Sequence, residues 1–117
     1  MLEDKAKDLG RQIGQSPEYQ ALKRSSDVLN EDRESVALLQ RMEKLRGEAQ
    51  QLIQSGETPT EEMEKQLDEL LEKIQSQQTY QRAVSAQENF DKLMLRVNQW
   101  IMDGMKKGAT SSIITLT

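Results

Sequence analysis

Histidine and cysteine are both absent from this chain of 117 residues, and aromatic residues make up only 3% of it. Without histidine the chain lacks the commonest general base and a common metal ligand, and without cysteine it has no thiol nucleophile and no disulfide. No run of about 18 apolar residues occurs, so no membrane span is expected. The first residues are charged and resemble no secretory signal, so the expected location is the cytoplasm.

Charged residues make up 31% of the chain, almost as much as the 35% that is hydrophobic. This balance is typical of long helices in hairpins or coiled coils, which expose much of their surface. Because such a chain surrounds few residues on all sides, we expect a homo-oligomer, either a dimer or a larger assembly. The formal net charge is −4 and basic residues are interspersed with acidic ones, so neither direct nucleic-acid binding nor an anionic membrane surface is expected.

Apolar residues recur every three or four positions along most of the sequence, which is the period of an amphipathic helix. A first short helix is predicted to weaken at Gly14. Ser16-Pro17-Glu18 then predicts a second start, with a capping serine, a proline in the first turn and an acid that favours the helix dipole. A third helix is predicted over 32–55, capped by Asn30 or Asp32 and stopped by Gly56.

The segment Thr58-Pro59-Thr60 predicts the next helix start, with Thr60 as the cap. Because the connection is short, we expect this helix and the 32–55 helix to pack as a long antiparallel hairpin. The apolar stripe then changes phase, which predicts a kink or a short break over 75–79. The segment 77–81 resembles 16–20, as if two helix starts used the same chemistry.

The last stripe passes through Phe90, Val97 and Ile101, and its helix is predicted to fray between Gly104 and Gly108. We therefore predict one helical domain over 1–108 and a flexible tail over 109–117. The alternative for the tail is an apolar latch or an added strand that pairs with a neighbouring chain. The predicted fold class is all-α, a dimerising helical bundle built on the hairpin, with additional short N-terminal helices.

Acidic residues are frequent after Thr60, but their spacing favours a solvated face. Glu61 precedes Lys65 by four residues and Glu69 precedes Lys73 by four, the separation of helix-surface pairs. A helical carboxylate site of the di-iron type also requires histidine, and Mg²⁺ requires converging acids. The chain has no Ser-x-x-Lys pattern and no phosphate-binding loop. We therefore predict no enzyme, metal, cofactor or small-molecule substrate, and an Mg²⁺-dependent enzyme remains the alternative if the acids converge.

The single tryptophan, Trp100, lies beside the last stripe, and interfaces are enriched in such residues. Two roles are open for Trp100: it contacts a partner or a second copy of the chain, or it lies at the edge of the core. The six methionines either fill gaps in the core or line an adaptable binding groove. Among them, Met105 lies where it can face a partner. The candidate contact residues are Trp100, Met105, Phe90, Ile101 and Tyr80, although Tyr80 is also expected to seat its helix start against the bundle.

Three stretches, taken in order, resemble the YlbF/YmcA family of small helical bacterial proteins. The stretches are Leu9, Ile13 and Ser16-Pro17-Glu18-Tyr19 with Leu29-Asn30-Glu31-Asp32 before Leu38-Leu39; Gly56-Glu57-Thr58-Pro59-Thr60-Glu61-Glu62; and Tyr80 with Ala86-Gln87-Glu88-Asn89-Phe90 and Val97-Asn98-Gln99-Trp100-Ile101. Together they span about residues 9 to 101, and the match depends on their order and spacing.

The resemblance implies an all-α, self-associating and non-catalytic regulator. Members of this family are associated with competence, sporulation and biofilm formation, and some act with sibling proteins on the membrane-anchored ribonuclease RNase Y. A sibling protein or a ribonuclease is therefore an expected partner. Some family complexes carry iron–sulfur clusters, which require cysteine ligands that this chain lacks, so the resemblance implies no cofactor here.

The function expected from the sequence is a regulatory adaptor that acts by protein–protein interaction. The alternative is a structural or chaperone-like coiled-coil module that holds clients between helical hairpins. The number of different proteins that the chain binds separates these two functions, because an adaptor enriches one or two proteins and a chaperone-like module enriches many.

Overall fold

The computed structural model describes the backbone of the chain through Leu116 and its side chains through Thr110. Over this part the predicted all-α class is confirmed, with five helices and no strand. The helices are α1 (Leu2–Gly14), α2 (Pro17–Glu31), α3 (Arg33–Gln54), α4 (Glu61–Gln75) and α5 (Gln78–Leu116).

Three helices begin at side-chain caps that the sequence predicted. Ser16 Oγ accepts a hydrogen bond from the Tyr19 backbone N–H at 3.2 Å, and Thr60 Oγ1 accepts one from Met63 N–H at 3.1 Å. Asp32 is the cap of α3, since its carboxylate accepts from the backbone N–H of the third residue of that helix. Each cap satisfies an N–H group that the first turn of a helix leaves unpaired.

The predicted break near residue 76 is confirmed, and it repeats the chemistry of the first helix junction. Gln20 Nε2 donates to the carbonyl of Gly14, the last residue of α1, at 2.7 Å. Gln81 Nε2 donates to the carbonyl of Gln75, the last residue of α4, also at 2.7 Å. In both junctions a glutamine six residues downstream satisfies a carbonyl that the ended helix leaves free. The similarity of 16–20 to 77–81 therefore reflects a shared junction geometry.

Gly56 ends the α3 segment with φ +82°, a conformation that costs side-chain-bearing residues about 1–2 kcal/mol. Its N–H donates to the Ile53 carbonyl and the Glu57 N–H donates to the Leu52 carbonyl, which together form a Schellman motif.

Gly56→Ala is therefore expected to lower the free energy of unfolding by about 1–2 kcal/mol in urea titrations. Gly47→Ala is the matched control. Gly47 lies inside α3 with open space around it, so alanine should raise stability by about 0.5–1 kcal/mol. Equal effects at both sites would show that the positive φ of Gly56 does not set the cost of the substitution.

The helices pack as two pairs that meet at one end. Helix α2 lies along α5, where the rings of Tyr19 and Phe90 pack with centroids 5.6 Å apart, and this is the more extensive pair. Helix α3 lies along α4, and its first turns contact the last turns of α4 in a hydrophobic cluster. The cluster consists of Leu38, Met42, Leu70 and Ile74.

The molecule is extended, with principal dimensions of 69 × 37 × 20 Å and a radius of gyration of 21.6 Å. A compact domain of this length has a radius of gyration of about 13 Å. The accessible surface is 9532 Å², whereas a compact monomer of the same mass exposes about 6,500 Å². The chain by itself therefore leaves about 3,000 Å² more surface in water than a compact monomer does.

Helix α5 does not fray between Gly104 and Gly108, so that prediction was wrong. It continues through both glycines to Leu116, and its 39 residues span about 58 Å. A glycine inside a helix costs only about 1 kcal/mol relative to alanine, and the methionine and lysines between these two glycines are good helix formers. The division into a domain of 1–108 and a tail of 109–117 stays a prediction, and the side chains of 111–117 lie outside the described part of the chain.

Candidate protein-binding surface

The last buried residue of α5 within the described part is Val97, and every residue from 98 to 110 is exposed. Several of these exposed side chains are large and apolar. Trp100 is 61% exposed and Met105 is 68% exposed, and Ile101 and Met102 lie beside them. We refer to Trp100, Ile101, Met102 and Met105 as the α5 end surface.

Part of the α5 end surface continues the stripe with which α5 packs on the rest of the molecule, and Met102 lies to one side of it. At 100° per residue, Trp100, Ile101 and Met105 fall on the side of the helix that carries Phe90 and Val97. Phe90 is half-buried and Val97 is buried, whereas the next two turns of the same stripe have no helix over them. The apolar stripe of α5 therefore extends beyond the part of α5 that the rest of the molecule covers.

The structure places the five predicted contact residues in three different settings. Trp100, Ile101 and Met105 lie together on the exposed end of α5. Phe90 packs against the ring of Tyr19, inside the α2–α5 pair. Tyr80 is half-buried and packs against the hydrophobic cluster of α3 and α4, as expected for a residue that seats a helix start.

A groove of about 380 Å³ lies between α3 and α4, and sequence analysis did not single it out. Its apolar floor includes Leu45 and Leu70. Its rim is charged or polar and consists of Arg41, Lys44, Glu48, Gln66, Glu69 and Lys73. The ion pairs that the structure describes all lie within residues 1–11, including Lys7 with Glu3 at 2.8 Å, so none of them involves a residue of this rim. The only feature of the sequence that could have indicated this groove is the set of charged residues on either side of Leu45 and Leu70.

A polar cluster joins the start of α3 to the start of α5. Asp32 Oδ2 accepts hydrogen bonds from Ser35 Oγ at 2.8 Å and from Thr79 Oγ1 at 2.6 Å. The hydrogen bond from Thr79, followed by those from Ser35, holds the pKa of the Asp32 carboxyl below its usual range. Ser35 is fully buried, and a hydroxyl that no substrate can reach cannot act as a nucleophile. The cluster is therefore a structural joint between two helix junctions.

Within the described part of the chain, no group of three or more acidic residues is arranged to hold a metal ion. In the same part of the chain, no helix combines the length and the apolar character needed to cross a bilayer. The described part of the chain is an extended helical scaffold with an uncovered apolar helix end, so the protein belongs to the class of small all-helical proteins.

Comparison with known proteins identifies the family. Residues 2–106 match the family described as control of competence regulator ComK, YlbF/YmcA. The chain belongs to this family, which confirms the resemblance found in the sequence. The family is a regulatory one and is not a known enzyme family, so a regulatory role is supported for this chain.

Relatives of the chain occur in streptococci, where they are called UPF0342 proteins. One from Streptococcus gordonii is 34% identical over 73 residues, which cover 62% of this chain and 65% of that protein. One from Streptococcus sanguinis is 28% identical over 100 residues, 86% of this chain and 89% of the relative. One from Streptococcus mutans is 32% identical over 85 residues, with coverages of 73% and 75%.

Proposed function

We propose that the protein is a non-enzymatic, cytoplasmic regulatory adaptor that self-associates and binds another protein through the α5 end surface. The observation that carries the proposal is the stripe of α5, which remains apolar for two turns beyond Val97, its last covered position. Membership of a regulatory family supports the role, and the exposed helix end supplies a means of exerting it.

The composition of the α5 end surface suits a protein interface. Exposed contiguous apolar patches on soluble proteins mark interaction sites, and tryptophan is enriched among the residues that dominate binding energy. Methionine is flexible and polarisable, so Met102 and Met105 can adapt to the shape of a partner. Ile101 and Met105 lie one turn apart on one face of this exposed helix, and such a pair fits a hydrophobic groove or a neighbouring helix.

The charges around this surface favour an acidic partner. Over residues 96–107, Arg96, Lys106 and Lys107 are the basic residues and Asp103 is the one acid. This segment therefore carries a net positive charge in a chain whose formal net charge is −4. Complementary charges of this kind accelerate encounter and suppress wrong partners more than they raise affinity.

The proposal predicts that Trp100→Ala weakens capture of the partner by about 30-fold, because truncating an interface hot spot costs about 2 kcal/mol or more. The measurement is a tagged pull-down from the native bacterium, with and without ribonuclease treatment, read by quantitative mass spectrometry. Ile53→Ala is the matched control, since Ile53 is equally exposed at 61% but lies on α3 and not on this surface. Partner binding and self-association that are both unchanged in Trp100→Ala would contradict the placement of the site.

The identity of the captured proteins separates the proposed functions. One or two stoichiometric proteins that survive ribonuclease treatment, such as a ribonuclease or a sibling family member, support the adaptor. Many unrelated unfolded clients support the chaperone-like alternative instead. Recovery of the tagged chain alone would leave the adaptor without support.

A further inference from the structure

Methionine supplies all the sulfur of this chain, because its six methionines are accompanied by no cysteine. Thiolates are the protein groups that peroxides attack most readily, and this chain offers none. The thioethers of the methionines are therefore its main targets for two-electron oxidation. Which thioether reacts depends on how far the fold exposes it.

Exposure separates the internal methionines into two groups. Met42 is only 5% exposed, and Met63 and Met94 are half-buried. Met102 and Met105 are 56% and 68% exposed, roughly tenfold more than Met42. A peroxide in solution therefore reaches the last two methionines of the chain more easily than it reaches the core.

Met102 and Met105 are neighbours on the surface of α5. They are three positions apart, a separation that brings side chains of a helix together. Both belong to the α5 end surface, with Trp100 and Ile101. Met1 is also exposed, but it precedes α1 and lies outside this surface. Exposed methionine sulfur within the helices is therefore concentrated in the surface proposed to bind a partner.

We propose that Met102 and Met105 form a reversible oxidation site, at which hydrogen peroxide switches off the α5 end surface. The sulfur lone pair forms an S–O bond and the O–O bond of the peroxide breaks. The departing oxygen takes up the proton of the transferred oxygen and leaves as water. Sulfur loses two electrons, and the peroxide gains them. The effect on binding rests on the proposed function, whereas the reactivity of the two sulfurs does not.

The exposure of these residues lets the modification act on binding without damage to the fold. A sulfoxide is polar and accepts hydrogen bonds, and at positions 102 and 105 water satisfies it in the free chain. Buried in an apolar contact without a donor, the same group loses that water. We therefore expect oxidation to weaken partner capture by about tenfold. At Met42 a sulfoxide would instead place a polar group in the hydrophobic cluster.

The same exposure makes the change reversible. Methionine sulfoxide reductases reduce both epimers of a sulfoxide, with one enzyme for each epimer. Two thiols of the reductant become a disulfide, and the sulfoxide oxygen leaves as water. A sulfoxide on an uncovered helix end is open to such an enzyme, so the sulfur returns to the thioether that a partner binds.

Peptide mapping by mass spectrometry, after timed exposure of the whole chain to hydrogen peroxide, tests the reactivity. Met102 and Met105 are expected to oxidise about tenfold faster than Met42, in line with their exposed fractions. Circular dichroism should show unchanged helix content when both are sulfoxides. Oxidation of Met42 at the same rate as these two residues, or loss of helix when they are oxidised, would overturn the proposal whatever the partner is.

Capture from a desalted lysate of the native bacterium tests the consequence for binding. The tagged chain is oxidised with hydrogen peroxide and freed of it before it meets the lysate, and desalting removes the small molecules that drive sulfoxide reduction. Capture of the partner should fall by about tenfold. Treatment of the oxidised chain with both methionine sulfoxide reductases and a dithiol should restore capture.

Two variants assign the effect to these sulfurs. In the chain with both Met102→Leu and Met105→Leu, peroxide should leave capture at the level that this variant shows untreated, because leucine has no sulfur. Met63→Leu removes a half-buried methionine of α4 and should respond to peroxide as the wild type does. Wild-type capture that survives oxidation of both residues, or a double variant that still loses capture on treatment, would overturn the switch alone. An untreated wild type that captures no partner would overturn the proposed function and the switch with it.

Discussion

Replacing Ile74 with alanine is expected to lower the free energy of unfolding by about 2–5 kcal/mol, since the change removes a large buried side chain and leaves a cavity. Ile74 is fully buried and lies with Leu38, Met42 and Leu70 in the hydrophobic cluster. Few residues up to Thr110, where burial is described, are so enclosed, so the cluster supplies a large part of the packing that holds α3, α4 and the start of α5 together. Against a total stability of about 5–15 kcal/mol, a loss of this size changes the folded fraction under mild denaturant.

Urea denaturation followed by circular dichroism measures this effect. Ile53→Ala is the matched control, because it makes the same chemical change at a side chain that is 61% exposed. Substitutions at exposed positions of this kind usually change stability by no more than about 0.5 kcal/mol. A loss below about 1 kcal/mol for Ile74→Ala would show that the cluster collapses around the gap, and it would contradict the central role of Ile74 in holding these helices together.

Asp32→Asn is expected to destabilise the protein at neutral pH and to remove part of its acid sensitivity. The carboxylate of Asp32 caps α3 and accepts hydrogen bonds from Ser35 and Thr79, which lower its pKa in the folded state. A carboxyl group whose pKa is lower in the folded than in the unfolded state stabilises the fold at pH values above the unfolded pKa. That contribution is lost as the pH falls through the folded pKa, here below about pH 4.

The difference in melting temperature between the wild type and Asp32→Asn should therefore be largest near neutral pH and shrink below about pH 4. Thr79→Val removes only the hydroxyl that reaches Asp32 from the start of α5. It should cost about 0.5–1.5 kcal/mol at neutral pH, the usual net value of one hydrogen bond. Asp27→Asn, at an exposed position on α2, is the control. A gap between wild type and Asp32→Asn that stays constant from neutral to acid pH would contradict the role of the carboxylate.

The local features of this fold could be predicted from the sequence because they depend on neighbouring residues. Ser16 and Thr60 cap helices because an oxygen-bearing side chain three residues before a free N–H is sufficient for a cap. The break near residue 76 was visible as a change in the phase of the apolar stripe. The long last helix was missed, because glycines 104 and 108 were interpreted as stops although each costs a helix only about 1 kcal/mol.

The candidate site was predicted only in part, for the same physical reason. Trp100 and Met105 could be selected from residue type and helical spacing, but their exposure depends on where the rest of the molecule ceases to cover α5. Phe90 shares their stripe and is half-buried, because the ring of Tyr19 lies against it. The contact between Asp32 and Thr79 joins residues 47 positions apart, and no local pattern in the sequence specifies it.

By itself the sequence determined that this protein is all-α, where most of its helices begin and end, that it lacks histidine and cysteine chemistry, and which family it resembles. These properties follow from composition and from periodicities of three or four residues, which act over one or two helical turns. Only the tertiary structure decided which stripes are covered, since coverage depends on contacts between distant segments. The groove between α3 and α4 and the uncovered end of α5 exist because five helices of these lengths leave two apolar surfaces without a neighbour in a single copy.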